Sequence, residues 1–461
     1  MIQPSRIKVL KEGPENERGR YVLYWMGLSQ RAVFNPALEH AVDEANARGL
    51  PTVVCYGIAE GFPEVNARHW TFLLQGMAEI PAALEKRGIG FVARREEGPV
   101  GTALRYAADA ALVVMDRNYL KPIRAFYEDF VRRAPCRVVQ VEGDVVVPVE
   151  AAAPKHAYAA RTLRPKILEQ WDQYLHPLKP RQVRHHARDL ALESTLDLAD
   201  IAKTVAGLKC DHGVAPVKRF TGGHAEADRR LARYLAGPFA HYATVRGKPE
   251  AGAASHMSPY LHFGQISPVA IALAVKASKA GDDEDRAAYL EEVVVRRELA
   301  MNHVFYQPDY DDLKGVPDWC RKTLDEHRGD EHPHVYTRAQ FEAGETHDIY
   351  WNAAMQEMRE TGYMHNHMRM YWGKKIVQWS KSPEDAWDTA LRLNNKYFID
   401  GRDASSFTNV GWLFGLHDRP WGRQPVFGTV RSMSQASLKK FDADGYVRAV
   451  AALAAAERDG A

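Results

Sequence analysis

Cysteine is scarce in this chain, and long apolar runs are absent from it. The four cysteines, at positions 55, 136, 210 and 320, lie far apart in 461 residues and form no Cys-x-x-Cys pair. This spacing argues against a zinc cluster and against a disulfide framework. No stretch approaches the roughly 20 consecutive apolar residues that a membrane span requires. We therefore expect a cytoplasmic protein that makes no use of a membrane.

A strong net charge is also missing. The chain has 61 lysines and arginines against 59 aspartates and glutamates, which gives a formal net charge of +2. Binding to nucleic acid would therefore depend on a local basic face rather than on the field of the whole molecule. With 46% hydrophobic and 26% charged residues, the composition is that of a globular protein. The length predicts two domains joined by a connection.

Short runs rich in Val, Tyr and Leu alternate with helical patterns in the first third of the chain. Five of these runs predict strands, at residues 21–26, 52–56, 90–93, 111–115 and 137–141. The alternation predicts a doubly wound, five-stranded parallel sheet in an α/β domain of residues 18–175. No Gly-x-Gly-x-x-Gly motif follows the first run, which argues against a nicotinamide dinucleotide as the ligand.

The remaining chain divides into a connection and a helical part. Residues 176–222 combine prolines with basic runs and lack a sustained apolar period, so we expect a connection that crosses the surface. Helical patterns fill residues 223–461 and predict an all-α second domain. The Ala-rich end after Tyr446 is expected to be a terminal helix or a frayed end.

Ser258 and Pro259 have the pattern of a helix start, with Ser258 as the N-cap and proline at the first helical position. Such a start exposes free N–H groups and the positive end of the helix dipole. With Ser255 nearby, it would suit a phosphate or pyrophosphate. An ordinary capped helix without a ligand is the alternative.

Glu292 and Arg296 are four residues apart in a helical pattern, so they are expected on one helix face. One interpretation is a surface ion pair. The other is a shared cavity, in which Arg296 binds phosphate and Glu292 offers acceptors or a proton to a substrate.

Seven of the ten tryptophans follow residue 318 and lie among charged residues. Trp372 and Trp379 are seven residues apart, which places both indoles on one side of a helix with about 10 Å of axial rise between them. Trp351, on the preceding helical pattern, is expected to pack between them. These indoles form either a core seam between two helices or a path for electrons from a buried redox cofactor.

Histidines form two close pairs in the sequence, at positions 332/334 and 365/367. His365 and His367 point to different sides of one helix, while His332 and His334 fall in a loop-like segment. Neither arrangement suits a metal ion. We therefore predict no metal site.

Seven motifs occur in an order and wording that resemble the photolyase and cryptochrome family, and within it the class II cyclobutane pyrimidine dimer (CPD) photolyases. The longest are SPYLHFGQIS at residues 258–267 and GLHDRPW at residues 415–421. The others lie at residues 296–300, 346–348, 351–354, 368–375 and 400–403. The resemblance covers nearly the whole chain. It implies an α/β antenna domain followed by a helical domain that binds FAD.

The resemblance implies a light-driven DNA lyase, in which electron transfer from excited reduced FAD splits the dimer. It implies Asn394 beside the flavin N5 and a salt bridge between Arg369 and Asp400 near the ring. The residues implied to bind FAD are Tyr242, Ser255, Met257, Ser258, Arg296, Arg369, Asn394 and Asp400. The residues implied to act on the lesion, which photolyases flip out of the duplex, are Glu292, Met370, Asn394, Trp412, Arg419 and Trp421. The implied photoreduction path is Trp372, Trp351 and Trp379, and it ends near the surface.

The implied partner is UV-damaged DNA, and we expect a monomer. The candidates for a rim that faces DNA phosphates are Lys374, Lys375, Arg402, Arg423 and Arg431. The antenna site is left open between a deazaflavin, a folate and no chromophore. The sequence departs from the family pattern at residues 25–31, at Ala254 and at residues 403–407, which concerns the antenna and local FAD contacts.

Three other functions fit parts of the same pattern. A cryptochrome-like photoreceptor would keep FAD and the tryptophan path without repair. Repair of (6-4) photoproducts would differ only in the lesion. A damage-binding protein without catalysis would lack the flavin altogether.

Overall fold

A six-stranded sheet forms the first domain in the computed structural model, which describes residues 2–13 and 16–458. The strands are β1 (Ile7–Lys11), β2 (Tyr21–Trp25), β3 (Thr52–Gly57), β4 (Gly90–Arg94), β5 (Ala110–Asp116) and β6 (Arg137–Val141). They lie in the order β1-β6-β5-β2-β3-β4, and β2 to β6 are parallel. The five predicted strands are therefore confirmed.

The edge strand β1 is an addition that the sequence did not predict. It runs antiparallel to β6, with Ile7 opposite Val141 and Val9 opposite Val139. Its sequence, IKVLK, is short and lysine-containing, and its residues are only partly covered. Such strands give a weak sequence signal, and lysines on an edge also discourage pairing with another chain.

The central strands β2 and β5 are buried along their whole length. This burial is expected where helices cover both faces of a parallel sheet. The chain order reverses at β2, because β3 and β4 follow on one side while β5 and β6 lie on the other. The carboxyl ends of β2 and β5 therefore face the kind of crevice in which open α/β sheets bind ligands.

Helices make up most of the other elements. Up to residue 222 they are α1 (Pro36–Arg48), α2 (Ala67–Met77), α3 (Ile80–Glu85), α4 (Gly98–Ala107), α5 (Lys121–Arg133), α6 (Val149–Ala152), α7 (Ala160–Leu168), α8 (Trp171–Tyr174) and α9 (Ile201–Ala206). Between residues 223 and 345 they are α10 (His224–Ala236), α11 (Tyr242–Val245), α12 (Ser258–His262), α13 (Pro268–Ala277), α14 (Asp283–Leu290), α15 (Arg297–Tyr306), α16 (Asp318–Glu326) and α17 (Arg338–Ala343). The last are α18 (Ile349–Thr361), α19 (Asn366–Trp379), α20 (Pro383–Tyr397), α21 (Ala404–Leu413) and α22 (Ala443–Arg458). Short 3-10 helices lie at Pro4–Arg6, Pro249–Ala251, Leu313–Gly315 and Gln435–Lys440, and Glu291–Arg296 form a π-helix.

The terminal helix α22 packs against α18. The Tyr446 hydroxyl donates to Glu357 Oε2 at 2.7 Å, and the Tyr350 hydroxyl donates to Asp444 Oδ1 at 2.9 Å. The terminal helix expected after Tyr446 is thus present as far as the chain is described, and residues 459–461 lie outside that range.

Buried polar contacts hold the helical part against the sheet. The Arg297 guanidinium on α15 donates to Asp144 Oδ2 at 2.6 Å. The neighbouring Glu298 carboxylate accepts the backbone N–H groups of Val146 and Val147. These bonds place α15 against the segment that follows β6, so one face of this helix belongs to the interface between the two parts.

Residues 176–222 run along the first domain. The backbone N–H of Ala187 donates to the Gly88 oxygen at 3.0 Å, and that of Thr195 donates to the Ala93 oxygen at 2.9 Å. The boundaries at 18–175, 176–222 and 223–461 stay predictions. Among the residues that the structure describes, no helix is both long and apolar enough to cross a bilayer.

Candidate functional site

The helix that carries Glu292 and Arg296 changes its pitch at these residues. Residues 291–296 form a π-helix between α14 and α15, in which hydrogen bonds close from i to i+5. Of the two interpretations of Glu292 and Arg296, the mutual ion pair is wrong, while the shared cavity stays a prediction. Arg296 Nε donates to Glu291 Oε1 at 3.0 Å, and Glu292 Oε1 accepts from Arg246 Nη1 at 2.7 Å. Short π-segments are frequent at functional sites.

A cluster of aromatic rings lies beside this π-segment and faces Ser255. The Tyr289 hydroxyl donates to Ser255 Oγ at 2.8 Å, and the Tyr242 ring meets the Tyr289 ring edge-on at 5.2 Å. Burial raises the pKa of Tyr242 to about 12 and raises the pKa of Tyr289 as well, so both phenols stay neutral. The Ser255 hydroxyl keeps its own proton for another acceptor. With Met257, which is buried next to it, this wall suits a phosphate or a sugar chain.

Helix α12 begins at Ser258, but Ser258 is not its N-cap as predicted. The cap position is Met257, whose backbone is already helical (φ −83°, ψ −15°), and no side chain caps the helix. A capping side chain reaches the first N–H groups from an extended backbone, which is not the conformation here. The Ser258 side chain is exposed instead. A phosphate here would depend on serine hydroxyls more than on the five-residue helix.

Arg369 and Asp400 form the predicted salt bridge. The guanidinium binds both carboxylate oxygens, each at 3.1 Å, and lies 3.9 Å from the centre of the Phe398 ring. Bidentate pairs of this kind fix both partners in one orientation. Tyr363 links the pair to the Ser255 wall, because its ring lies 5.4 Å from the Arg369 guanidinium and 4.6 Å from the His256 ring.

Asn394 lies on α20 with a nearly buried side chain and an unused acceptor. Its Nδ2 donates to Asn395 Oδ1 at 3.1 Å, and among the described residues nothing donates to its oxygen. Because this oxygen is not itself fully buried, it is accessible and can accept an N–H group of a ligand. The aromatic wall, the spare serine proton, the Arg369–Asp400 pair and this oxygen together fit FAD, the cofactor that the resemblance implies.

Aromatic and basic side chains meet at the outer end of this site. The Arg296 guanidinium lies 5.3 Å from the centre of the Trp412 ring. Trp421 is 40% exposed, and the guanidinium groups of Arg419 and Arg431 lie 5.0 and 4.8 Å from the centre of its ring. An exposed indole beside two cations suits stacking with a base whose phosphates lie close by.

The three indoles predicted to carry electrons are buried and follow one another. Trp351 Nε1 donates to the backbone oxygen of Trp372 at 2.9 Å, and the Trp351 and Trp379 rings lie 6.3 Å apart. At the inner end, the Trp372 ring lies 6.4 Å from the Phe398 ring, beside the Arg369–Asp400 pair. The predicted packing of Trp351 between the other two is confirmed, while the role in electron transfer stays a prediction.

The outer end of this row lies deeper than expected. Trp379 is 3% exposed, because the rings of His347 and Tyr336 cover it at 4.8 and 5.9 Å. Met370, which is on the same helix as Trp372, is half-buried against the same core.

Three of the basic residues proposed for the rim are buried, so their assignment to DNA phosphates is wrong. Lys374, Lys375 and Arg402 bind protein oxygen or nitrogen atoms instead of facing solvent. The first two lie on α19, whose inner face also carries the indoles. Arg423 and Arg431 are exposed and remain candidates.

Replacing Lys374 by methionine should stabilise the protein at neutral and acidic pH. Its Nζ donates to the Leu413 oxygen at 2.6 Å, but the side chain is 2% exposed, and burial lowers its pKa from 10.5 to about 7. The unfolded chain therefore binds the proton more tightly, so wild-type stability rises between these two pKa values. We expect Lys374→Met to gain about 2 kcal/mol at pH 6 and to lose this advantage by pH 10.

Urea denaturation at several pH values measures this difference. Lys381→Met, at a side chain that is 76% exposed, is the matched control and should leave the pH profile unchanged. A Lys374→Met profile parallel to that of the wild type would contradict the expected burial cost.

A second cavity, of about 220 Å³, opens between the two parts of the chain. It lies at the carboxyl ends of β2, β3 and β5, where the sheet topology predicts a ligand crevice. Residues 26–28 and 118–120 line it from the first domain, and His262 and Arg402 line it from the second. Arg402 Nη1 lies 2.7 Å from His69 Nε2, and burial lowers the pKa of Arg402 to about 10. The cavity thus combines apolar walls with buried charged groups, among them the guanidinium groups of Arg297 and Arg402.

Several residues of these sites were missed by the sequence analysis. Arg246, Tyr289 and Tyr363 complete the walls around the first site, and no motif singled them out. One ring nitrogen each from His156, His303 and His417 also converge within 4.8 Å of one another. His156 and His303 are 147 residues apart, so no local spacing could have revealed this cluster.

Solved structures with the same fold are photolyases and cryptochromes. A bacterial class III photolyase from Agrobacterium tumefaciens superposes with a TM-score of 0.71 at 21% identity, covering 94% of this chain and 86% of the other. An archaeal photolyase from Sulfolobus tokodaii, described with two FAD molecules, superposes with a TM-score of 0.68 at 15% identity, covering 93% and 89%. The predicted fold class is thereby confirmed.

The sequence comparisons identify the family. Residues 22–183 match the family model for DNA photolyase. The chain is 40% identical over 448 residues to a deoxyribodipyrimidine photo-lyase of Methanothermobacter thermautotrophicus, covering 97% of this chain and 98% of that protein. The chain belongs to the DNA photolyase family.

Proposed function

We propose that this protein is a class II photolyase that repairs CPDs in UV-damaged DNA with light and bound FAD. The observation that carries the proposal is the bidentate Arg369–Asp400 pair, which lies against the Phe398 ring next to the buried Trp372. Trp412, beside Arg296, and the exposed Trp421 are the aromatic groups that we assign to the lesion. A buried place for a flat cofactor would thus adjoin an open aromatic place for flipped bases.

Three groups of residues would hold the cofactor. The phosphates and the ribityl chain would be held by the hydroxyls of Ser255 and Ser258, by Tyr242 and by the Arg296 guanidinium. Met257 would pack against them. The Arg369–Asp400 ion pair would place one positive and one negative group in a fixed position beside the flavin ring. Asn394 would accept a hydrogen bond from a ring N–H. Bound reduced FAD, once excited by light, would supply the electron that splits the cyclobutane ring.

The lesion would be held by residues of the outer end. Trp412 and Trp421 would supply flat apolar walls for two flipped bases, and Met370 would fill the irregular gap between them. Glu292 Oε1 accepts from Arg246, and within the described parts of the chain nothing donates to its Oε2, so this oxygen can accept an N–H of a base. Arg419, beside Trp421, would bind a phosphate.

The cavity between the two parts of the chain would hold an antenna chromophore. Aromatic residues around it include Tyr56, Phe62, Phe126 and Tyr127, which suits a flat ring system, and Arg402 offers a cation. The Sulfolobus tokodaii structure is described with two FAD molecules and a novel light-harvesting cofactor, while for this chain a deazaflavin, a folate and no chromophore are all left open by the sequence. Heat denaturation of purified protein, followed by identification of any chromophore released besides the catalytic flavin, would decide among these possibilities.

Repair of a defined lesion tests the proposal. Protein reduced in the dark is mixed with an oligonucleotide that carries one CPD, and the intact thymines are followed with and without blue light. Light-dependent recovery is expected. An oligonucleotide with a (6-4) photoproduct, assayed separately, should remain unrepaired.

Each alternative predicts a different outcome of the same experiment. Flavin that is photoreduced without any repair would favour a photoreceptor. Purified protein without flavin absorbance would favour a damage-binding protein. The cytoplasmic location and the monomeric state stay predictions, and gel filtration checks the second.

Trp421→Ala should weaken binding to damaged DNA. Stacking of a base on an aromatic ring contributes about 1–3 kcal/mol, so we expect the dissociation constant for CPD-containing DNA to rise about 5- to 150-fold. Binding to undamaged DNA should change little. Leu168→Ala, at another exposed apolar side chain, is the control for a general surface effect. Equal losses for damaged and undamaged DNA would argue against a stacking role.

A further inference from the structure

The cluster of His156, His303 and His417 brings together three segments of the chain. His156 lies between α6 and α7, His303 lies on α15, and His417 follows α21 in the segment that leads to Trp421. The rings pack with centroids 5.1 to 5.9 Å apart. One nitrogen of each ring lies within 4.8 Å of the other two.

Hydrogen bonds already orient these rings toward a common point. The Nδ1–H of His417 donates to the Tyr158 backbone oxygen at 2.7 Å, which leaves the lone pair on Nε2. That Nε2 is buried, since His417 is only 9% exposed, and it has no hydrogen-bond partner among the residues that the structure describes. A backbone carbonyl that fixes the tautomer of a histidine in this way is the usual arrangement behind a metal ligand.

The other two nitrogens are at a distance that suits one ion. His156 Nε2 and His303 Nδ1 are 3.0 Å apart and share a hydrogen bond, so the donor ring has to carry its proton on its other nitrogen before both can bind one ion. Two imidazole ligands at about 2.0–2.1 Å from a tetrahedral zinc ion are themselves about 3.3 Å apart. These two therefore need little movement, and His417 needs to approach them by about 1–2 Å.

The electrostatic surroundings allow metal binding, but no negatively charged side chain in the cluster offsets the charge of the ion. Burial lowers the pKa of all three histidines, to about 2 for His303 and about 4 for His417, so the rings are neutral and can bind a cation. No carboxylate belongs to the cluster, and the nearby Arg296 is paired with Glu291. The fourth ligand would therefore be water or hydroxide, as in other three-histidine zinc sites.

We propose that His156, His303 and His417 form a binding site for a divalent transition-metal ion of the zinc type. The ion joins the segment before α7 and helix α15 to the segment 415–421. Because Arg419 and Trp421 belong to that segment, the ion fixes the outer end of the lesion site. The Tyr158 hydroxyl, which donates to the Asp418 oxygen at 3.3 Å, makes a second link between the same two segments.

Zinc binding to chelator-treated protein tests this site independently of repair. We expect one Zn²⁺ per chain to survive gel filtration and to raise the melting temperature. Co²⁺ in its place should give the visible absorption of a tetrahedral nitrogen site. His417→Asn keeps a donor for the Tyr158 oxygen but lacks the ring nitrogen, and it should weaken binding at least about tenfold.

Two further variants make the outcome decisive. His303→Gln removes a second ligand and should weaken binding similarly. His334→Ala changes a histidine outside the cluster, whose ring stacks on His347 at 3.7 Å, and should leave the affinity unchanged. Wild-type protein that binds no zinc, or affinity that falls in His334→Ala but not in the two cluster variants, would overturn the proposal.

Discussion

Trp372→Phe protein is expected to lose light-driven reduction of its bound flavin, while the same protein reduced beforehand still repairs DNA. Trp372 is the inner indole of the row, next to Phe398 and the Arg369–Asp400 pair. Phenylalanine keeps the packing but is far harder to oxidise than an indole. An electron from Trp351 or Trp379 would then have no oxidisable side chain at position 372 on its way to the flavin. Absorbance of the oxidised flavin during illumination with a thiol reductant measures the loss, which we expect to exceed tenfold.

A tryptophan outside the row provides the control for this experiment. Trp387 is buried in the same helical part and packs against Phe414 at 5.3 Å. Trp387→Phe should photoreduce like the wild type. Normal photoreduction in Trp372→Phe would refute the order of the path, and loss of repair by the pre-reduced variant would indicate that Trp372 has a different role.

Asp400→Asn should cost about 1–3 kcal/mol of unfolding free energy, because it removes the counter-charge of the Arg369 guanidinium, whose side chain is only 20% exposed. We also expect the purified variant to retain much less flavin, since Arg369 would no longer be held in one orientation beside the ring. Urea denaturation measures the first effect. The ratio of flavin absorbance to protein absorbance measures the second.

The double variant Arg369→Met/Asp400→Leu separates stability from cofactor binding. Replacing both partners of a buried ion pair by apolar residues is often neutral or stabilising. The double variant should therefore recover most of the stability lost in Asp400→Asn but still lack flavin. If it regained the flavin as well, the pair would serve packing alone. If it were less stable than Asp400→Asn, the unpaired guanidinium would not be the cause of the loss.

The sheet and most helices could be predicted because the side of each element that is buried leaves a pattern of apolar residues in its own sequence. Strands β2 and β5 are apolar throughout, as strands covered on both faces must be, and the helical patterns recur at the expected period. Strand β1 escaped prediction because its partner is β6, more than a hundred residues later, and because lysines interrupt its short run. Pairing over such distances leaves little local trace.

Single side chains were harder to predict than elements. Family motifs, rather than periodicity, pointed to Arg369 and Asp400, and the salt bridge between them is present. The Glu292–Arg296 pairing failed because a helical pattern does not reveal where the pitch changes from α to π. Lys374 was wrongly predicted to face DNA phosphates, because nothing in its polar sequence neighbourhood indicates that the lysine is buried. The three converging histidines depend on tertiary structure alone.

The π-segment allows one continuous helix to serve two unrelated faces. An α-helix turns by about 100° per residue, so a helix that loses one residue rotates everything beyond that point by this angle. Deleting a single residue from 291–296 and restoring a regular α-helix would turn Arg297 and Glu298 away from Asp144 and Val146 while Tyr289 kept its place. The extra residue of the π-segment therefore sets the angle about the helix axis between the side that faces Ser255 and the side that faces the sheet. Insertions and deletions at this point would be tolerated far less than substitutions.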